Sequence, residues 1–449
     1  MEAQAIRSED YSLLTDLYQM TMAACYVGEG VDQRRASFEL FVRRLPQDFG
    51  YLVAMGLSQA LEYLENFRFT SAQIAALQAT GIFDQAPAQF WKVLAEGCFT
   101  GDVWAVPEGT VVFANEPLLR IEAPLWQAQI VETYLLNTLN YQTLIATRAA
   151  RLRDVAGETA QLLEFGTRRA FSPQGALWAA RAAIAGGLDA TSNVLAALQL
   201  GQKPSGTMAH ALVMALAALE GSEDEAFEAF HRYFPGAALL IDTYDAIAAA
   251  QRLSLQVQAG KTVNAVRLDS GDLVSLSQQV RQLLPDTLIF ASGDLDEQEI
   301  VRLRSEGATI DGYGLGTKLV TGTPVNGVYK LVEIDGVPVM KGSSGKATYP
   351  GRKQIFRGAE NRRLGLMSEM PQPGETGLLE QVMQEGQRLL PDESLGAIAQ
   401  RTRNSVTALP ESIRQVKDPD LFSVEISPLL QTLTTQTQAQ IRKMISPPP

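Results

Sequence analysis

The chain has 449 residues, 46% of them hydrophobic and 20% charged, with a net charge of −12. That length calls for two or three folded units, and the composition belongs to a globular chain, not a disordered one. The acidic balance argues against a general nucleic-acid or anionic-membrane surface, which needs a basic footprint, but leaves room for a local basic pocket.

Cys25 and Cys98 are the only cysteines, and His210 and His231 the only histidines. This excludes a disulfide framework and argues against zinc or iron–sulfur sites. Any metal is expected to be a hard ion such as Mg²⁺ held by carboxylates and substrate oxygens. Met1–Tyr11 is charged and lacks an apolar run, and no uncharged apolar stretch approaches the ~20 residues needed to span a bilayer. The expected address is the cytoplasm.

In chain order, Ser12–Tyr26 reads as an amphipathic helix, with Tyr18 beside its apolar stripe. Ala36–Val42 alternates like a strand, and helices are predicted at Leu57–Asn66, Ser71–Thr80 and Ala88–Glu96. Phe99–Glu122, punctuated by Pro107, Gly109, Asn115 and Pro117, predicts two or three antiparallel strands. Gln127–Ala150 returns to helix. From Thr159 onward, short apolar strands alternate with helices: Gln161–Phe165, Ala238–Ile241, Ala265–Leu268, Leu288–Ala291 and Thr309–Gly312. The later ones recur at intervals shorter than the ~30 residues of an average unit in an eightfold barrel. Ser192–Leu198 and Thr207–Leu212 read as strand or helix equally well. Val328–Glu333 and Val337–Lys341 predict a hairpin about Asp335-Gly336, followed by a basic Gly- and Ser-rich loop, Lys341–Lys353. Helical texture is read at Leu378–Gln387, Ala397–Ala408, Glu411–Lys417 and Ser427–Ser446. The expected units are 1–145, 146–325 and 326–449, the last packing back on the first.

Each predicted strand of the middle unit is followed by polar residues: Gly166-Thr167-Arg168-Arg169, Asp242-Thr243-Tyr244-Asp245, Asp269-Ser270-Gly271-Asp272, Ser292-Gly293-Asp294 and Gly314-Leu315-Gly316-Thr317-Lys318. Parallel α/β folds bind ligands at the carboxyl ends of their strands, so these loops describe one anion-binding mouth. Lys203–Leu212 adds Ser205, Thr207 and His210, with Pro204 and Gly206 shaping the backbone; a buried structural His210 is the plainer alternative. Arg267 offers a fork for a carboxylate or phosphate, with Asp269 and Asp272 nearby as candidates to hold Mg²⁺ through water. Asp269 or Ser270 could equally cap the helix that begins at Leu273. Neither Gly314-Leu315-Gly316-Thr317 nor Gly342–Lys346 forms an ordinary P-loop, and no dinucleotide-binding GxGxxG is present.

Several stretches together resemble the nicotinate phosphoribosyltransferase family: Thr-Asp-Leu-Tyr-Gln-Met-Thr-Met at 15–22, Glu-Phe-Gly-Thr-Arg-Arg-Ala at 164–170, Gly-Gly-Leu-Asp-Ala-Thr-Ser-Asn-Val at 186–194, Gly-Thr-Met-Ala-His at 206–210, Val-Arg-Leu-Asp-Ser-Gly-Asp-Leu at 266–273, Gly-Leu-Gly-Thr at 314–317 and Val-Tyr-Lys-Leu-Val at 328–332. The resemblance implies an α/β fold of the type II phosphoribosyltransferase kind, an irregular (β/α) barrel plus an α+β domain built from both chain ends. It further implies a homodimer with shared active sites, transferring phosphoribose from 5-phosphoribosyl 1-pyrophosphate to nicotinate with ATP and Mg²⁺. His210 matches the family's phosphohistidine, Tyr18, Thr207 and Arg267 its nicotinate site, and Thr317 a donor contact. Arg168 and Gly316 are further candidates for the donor phosphates, and Asp242 and Asp269 for the ribose or the metal, whose ligands stay unassigned. A nicotinamide or quinolinate enzyme of the same fold, or a barrel aldolase using Lys318 as a Schiff-base amine, are the rival readings.

Overall fold

The computed structural model describes residues 6–342, 348–359 and 361–445. The central part of the basic loop, with most of Gly342–Lys346, and the Pro447–Pro449 tail lie outside the described residues.

Two sheets organise the chain. The larger has seven strands in the order Val337–Pro338, Gly327–Ile334, Arg35–Val42, Pro117–Pro124, Asp102–Ala105, Glu380–Gln384 and Gln387–Arg388. Its third strand, Arg35–Val42, is buried at all but its first residue. It pairs antiparallel with Pro117–Pro124 on one side and Gly327–Ile334 on the other, so both chain ends share one core. Phe38 stacks on Tyr329 across this junction, centroids 4.9 Å apart. Beneath it the buried Lys353 ammonium lies 2.8 Å from Glu39, while Arg120, fully buried, donates to Glu122 Oε1 and to the Lys353 carbonyl. Pairing of this kind offsets the cost of burying these charges.

The second sheet holds six parallel strands in the order Ala190–Thr191, Gln161–Glu164, Gly312–Leu315, Leu288–Ala291, Ala265–Leu268 and Leu239–Leu240. Taken as a circle this is chain order, as in a barrel. Ala190–Thr191 and Leu239–Leu240 are consecutive in the chain yet unpaired with each other. Between them lies a seam. Segment 204–207 crosses it: the Ser205 amide donates to the Thr191 carbonyl at 2.9 Å, and the Thr207 hydroxyl donates to the Ala238 carbonyl.

Two predicted elements are corrected. The last barrel strand is Gly312–Leu315, three residues later than Thr309–Gly312. Thr309 is held by Ser277 through both its amide and its hydroxyl, and Asp311 receives Arg281 and the Ile289 amide. Gly314, which reads as the start of a loop, is a strand residue, and at both Gly312 and Gly314 an aromatic ring occupies the space of a side chain. A Cβ at Gly314 would meet the Phe165 ring at 2.6 Å. Leu378–Gln387 is not a helix but the hairpin Glu380–Gln384 with Gln387–Arg388. Glu385 and Gly386 have φ of 49° and 76°, the left-handed pair of a tight hairpin turn. Its first strand pairs with Asp102–Ala105, and that pairing outweighs the local helical pattern.

Smaller shifts matter for the site. The first long helix spans Leu17–Gly28, after a 3₁₀ turn at Ser8–Leu13, because Thr15 and Asp16 are tied to Ile130 and Thr133. His210 is the first residue of helix His210–Glu220. Helix Glu132–Ala156 runs through residue 145 and packs on Pro173–Ala185. Among the described residues, no helix is long and apolar enough to cross a membrane.

Replacing Gly314 by Ala forces the Phe165 ring to move. The expected loss is about 1–3 kcal/mol of stability, read as a lowered thermal midpoint; an unchanged midpoint would show that the ring has room to yield.

Candidate active site at the barrel seam

A cavity of about 830 Å³ opens where the seam meets the carboxyl ends of the strands. Its walls come from separate elements. Phe165 and Arg168 follow strand Gln161–Glu164, Ser192 and Val194 follow Ala190–Thr191, and the crossing segment supplies Pro204 to Ala209. His210 stands at the start of its helix, while Arg267 and Asp269 lie in and just beyond strand Ala265–Leu268. Of the residues singled out from sequence, Arg168, Thr207, His210, Arg267 and Asp269 therefore meet around one space. That convergence displaces the plainer reading of His210 as a buried structural residue, since 39% of its side chain remains accessible.

The histidine is oriented from two sides. Its Nδ1 lies 3.1 Å from the Thr243 hydroxyl, and its Nε2 lies 3.9 Å from Asp269 Oδ2. Asp269 is held in turn by the Ser292 hydroxyl on Oδ1. Asp242 Oδ2 accepts from the Asp269 amide at 2.7 Å and from the Ser270 hydroxyl at 2.8 Å. Its Oδ1 is buried and finds no hydrogen-bond partner among the described residues. Asp242 thus braces the Asp269 turn and keeps one oxygen uncommitted. Asp272, the second carboxylate of the Arg267–Asp272 motif, is used differently: it caps helix Leu273–Leu283, accepting from Val274 and Ser275. The cap lies neither at Asp269 nor at Ser270.

Arg267 is largely buried, and burial pushes its guanidinium below the ordinary value while Asp269 and Asp242 pull it back up. Its Nε also has no hydrogen-bond partner among the described residues. A desolvated guanidinium with an open donor is suited to a planar anion. Phe165, Val194, Phe230 and Phe234 add apolar surface to the same space. Thr207 contributes less than its hydroxyl suggests. Its proton goes to the Ala238 carbonyl, so it offers the cavity a lone pair and a methyl group.

The remaining candidates lie elsewhere. Gly316 precedes the short helix Thr317–Val320 at the end of the last barrel strand. Neither it nor Thr317 lines the cavity. Tyr18, the second residue of helix Leu17–Gly28, is 49% exposed. Burial and then Glu132 raise its phenol, and it too lies outside the cavity. Lys318 reaches toward Asp296 at 3.7 Å and away from the cavity lining, which removes the geometry a Schiff-base amine would need there.

No group of three or more metal-ligating side chains able to hold an ion is found among the described residues. The Asp242 and Asp269 pair, one oxygen of it unpartnered, fits an ion completed by substrate oxygens and water, the coordination habit of Mg²⁺. The sequence places Thr243 and Ser292 among the polar strand ends and Phe165 at the close of a predicted strand, without an individual role for any of them. Those roles depend on contacts with His210, Asp269 and the cavity that no local pattern signals.

Comparisons with known proteins agree along the chain. Residues 13–140 match the family model for the nicotinate phosphoribosyltransferase N-terminal domain, 160–357 that for the nicotinate phosphoribosyltransferase family, and 374–434 that for the C-terminal domain. The chain is 43% identical over 369 residues to the nicotinate phosphoribosyltransferase of Bacillus subtilis, covering 78% of this chain and 74% of that protein. It is 41% identical over 432 residues to the pncB2 nicotinate phosphoribosyltransferase of Mycobacterium tuberculosis, covering 92% and 91%. The crystal structure of the human nicotinic acid phosphoribosyltransferase superposes with a TM-score of 0.82 at 30% identity, covering 94% of this chain and 99% of that one.

The seam makes its own prediction. Thr207→Val leaves the Ala238 carbonyl without its donor and should lower stability by about 1–3 kcal/mol, whereas Thr207→Ser should not. Equal thermal midpoints for the two variants would remove the hydroxyl from the seam.

Proposed function

The chain belongs to the nicotinate phosphoribosyltransferase family, and on that premise we propose how the cavity joins nicotinate to phosphoribose. The reaction takes nicotinate and 5-phosphoribosyl 1-pyrophosphate to nicotinate mononucleotide and pyrophosphate, the entry of nicotinate into NAD salvage. The observation that supports our reading is the meeting of Arg267, Arg168, His210 and Asp269 around one space at the strand ends.

In this reading Arg267 holds the nicotinate carboxylate with two parallel charge-assisted bonds. Thr207 flanks the ring, and Phe165 offers it one apolar face. The pyridine nitrogen is unprotonated at neutral pH and needs no base. Its lone pair attacks the ribose C1 as the bond from C1 to the pyrophosphate oxygen breaks, through an oxocarbenium-like state that Asp242 and Asp269 face. Catalysis is then positioning and electrostatics. Arg168 takes the donor phosphates from within the cavity, and Gly316 and Thr317, outside its lining, take them from the end of the strand beside Gln161–Glu164. Asp242 and Asp269 would hold Mg²⁺, which supplies charge neutralisation to the departing pyrophosphate.

ATP enters as co-substrate. His210 accepts the γ-phosphoryl group, giving ADP, and water later releases phosphate; Thr243 at Nδ1 fixes the ring for that attack. The new charge beside Asp269 and the donor site is the means of coupling.

We also propose a homodimer in which the partner's Tyr18 covers the second face of the nicotinate ring. Two observations support it. Tyr18 is exposed on its own chain and is not part of its own cavity lining. Helix His210–Glu220 is apolar along nearly its whole length, yet Val213 alone of it is buried, and an apolar surface of that kind calls for a partner. The exposed thiols of Cys25 and Cys98 suit the reducing cytoplasm.

Chromatography of products from nicotinate, phosphoribosyl pyrophosphate and Mg²⁺, with and without ATP, tests the activity, with nicotinamide and quinolinate in parallel. Nicotinate mononucleotide forming faster with ATP is expected; turnover of another pyridine instead would overturn the substrate. Arg267→Lys keeps the charge but loses the fork, and should raise the nicotinate KM by about tenfold or more; an unchanged KM would rule the contact out. His210→Ala should abolish ATP stimulation, and retained stimulation would remove the phosphohistidine.

A further inference from the structure

Glu164 closes the first barrel strand and is 1% exposed. Its carboxylate turns back under its own chain: Oε1 accepts the Gly166 amide and Oε2 the Thr191 hydroxyl. No cation is paired with it among the described residues. Burial pushes this carboxyl up, and its two donors oppose the shift. A buried carboxylate without a counter-charge is costly, and two well-placed donors are what keep it in place.

The two donors belong to the carboxyl ends of two neighbouring strands, Gln161–Glu164 and Ala190–Thr191. Gly166 sits between Phe165 and Arg168, and a side chain there would overlap Val320 and Glu164 itself, so the turn is closely fitted. Thr191 is the last residue of the neighbouring strand. Its hydroxyl also accepts the Asn193 amide at 2.9 Å, and its carbonyl accepts the Ser205 amide of the crossing segment. The Glu164 carbonyl takes the Ser192 amide at 2.9 Å. Phe165, Arg168, Ser192 and Val194, four lining residues, thus hang from the strand ends that this one carboxylate ties together.

We propose that Glu164 is a positioning residue, setting the Phe165–Arg168 loop against the Thr191 strand end so that the pyridine and donor phosphates are bound in register. The inference rests on the function proposed above. Both carboxylate oxygens accept. A glutamine keeps the Gly166 bond through its oxygen, but its amide group can only donate to the Thr191 hydroxyl, whose own proton then loses its acceptor.

Glu164→Gln should raise the KM for nicotinate and for the phosphoribosyl donor by about tenfold, the effect of one lost buried hydrogen bond. Phosphorylation of His210 from labelled ATP should stay at the wild-type level, because the contacts of His210 are with Thr243 and Asp269. Thr191→Val should reproduce the KM effect, and Thr191→Ser should restore wild-type values. KM values unchanged in both Glu164→Gln and Thr191→Val would overturn the proposal. So would a parallel fall in turnover and His210 phosphorylation that tracks loss of folded protein. Calorimetric binding of phosphoribosyl pyrophosphate, run on the same proteins, separates this from the parent reading. A wild type that binds the donor but forms no nucleotide contradicts the function alone, with weakened binding in Glu164→Gln still supporting the tie. A wild type that neither binds nor turns over contradicts both.

Discussion

The barrel is left open between two strands, and two hydrogen bonds from one short segment close it. Ser205 binds the Thr191 carbonyl on one side and Thr207 the Ala238 carbonyl on the other. Regular strands would have satisfied those carbonyls along a full ladder. A crossing segment satisfies them with an irregular backbone instead, and the space a strand would have filled becomes the cavity. The same segment delivers His210 to the rim, so the device that closes the fold also brings this histidine to the cavity.

The electrostatics follow from that geometry. Arg267 comes from a parallel strand, one residue before its end, and burial there pushes its guanidinium below the ordinary value. The carboxylates that stabilise it, Asp242 and Asp269, come from the ends of that strand and its neighbour, and one braces the backbone of the other. A chain with a net charge of −12 thereby brings two guanidinium groups, Arg168 and Arg267, to one cavity.

Much of this was legible in the sequence. Strands Ala265–Leu268 and Leu288–Ala291 were readable to the residue because buried parallel strands are short continuous apolar runs bounded by polar ends. The convergence of Arg168, Arg267, Asp269 and His210 followed from their positions at strand ends and from the family resemblance. What stayed hidden depended on partners far along the chain. Gly314 signals a loop locally, yet it lies in the last barrel strand with the Phe165 ring in the space a side chain would fill. The hairpin at Glu380–Arg388 looked helical because its partner strand lies almost three hundred residues earlier. The engagement of the Thr207 hydroxyl by a backbone carbonyl leaves no mark in the sequence at all.

The most direct measurement is a crystal structure with nicotinate mononucleotide and pyrophosphate bound. The account predicts the pyridine carboxylate against Arg267 and the ring beside Phe165, with the phosphate oxygens near Arg168. A nucleotide seated elsewhere, such as the aromatic cleft between Tyr11 and Trp178, would contradict it, whatever activity the protein displays.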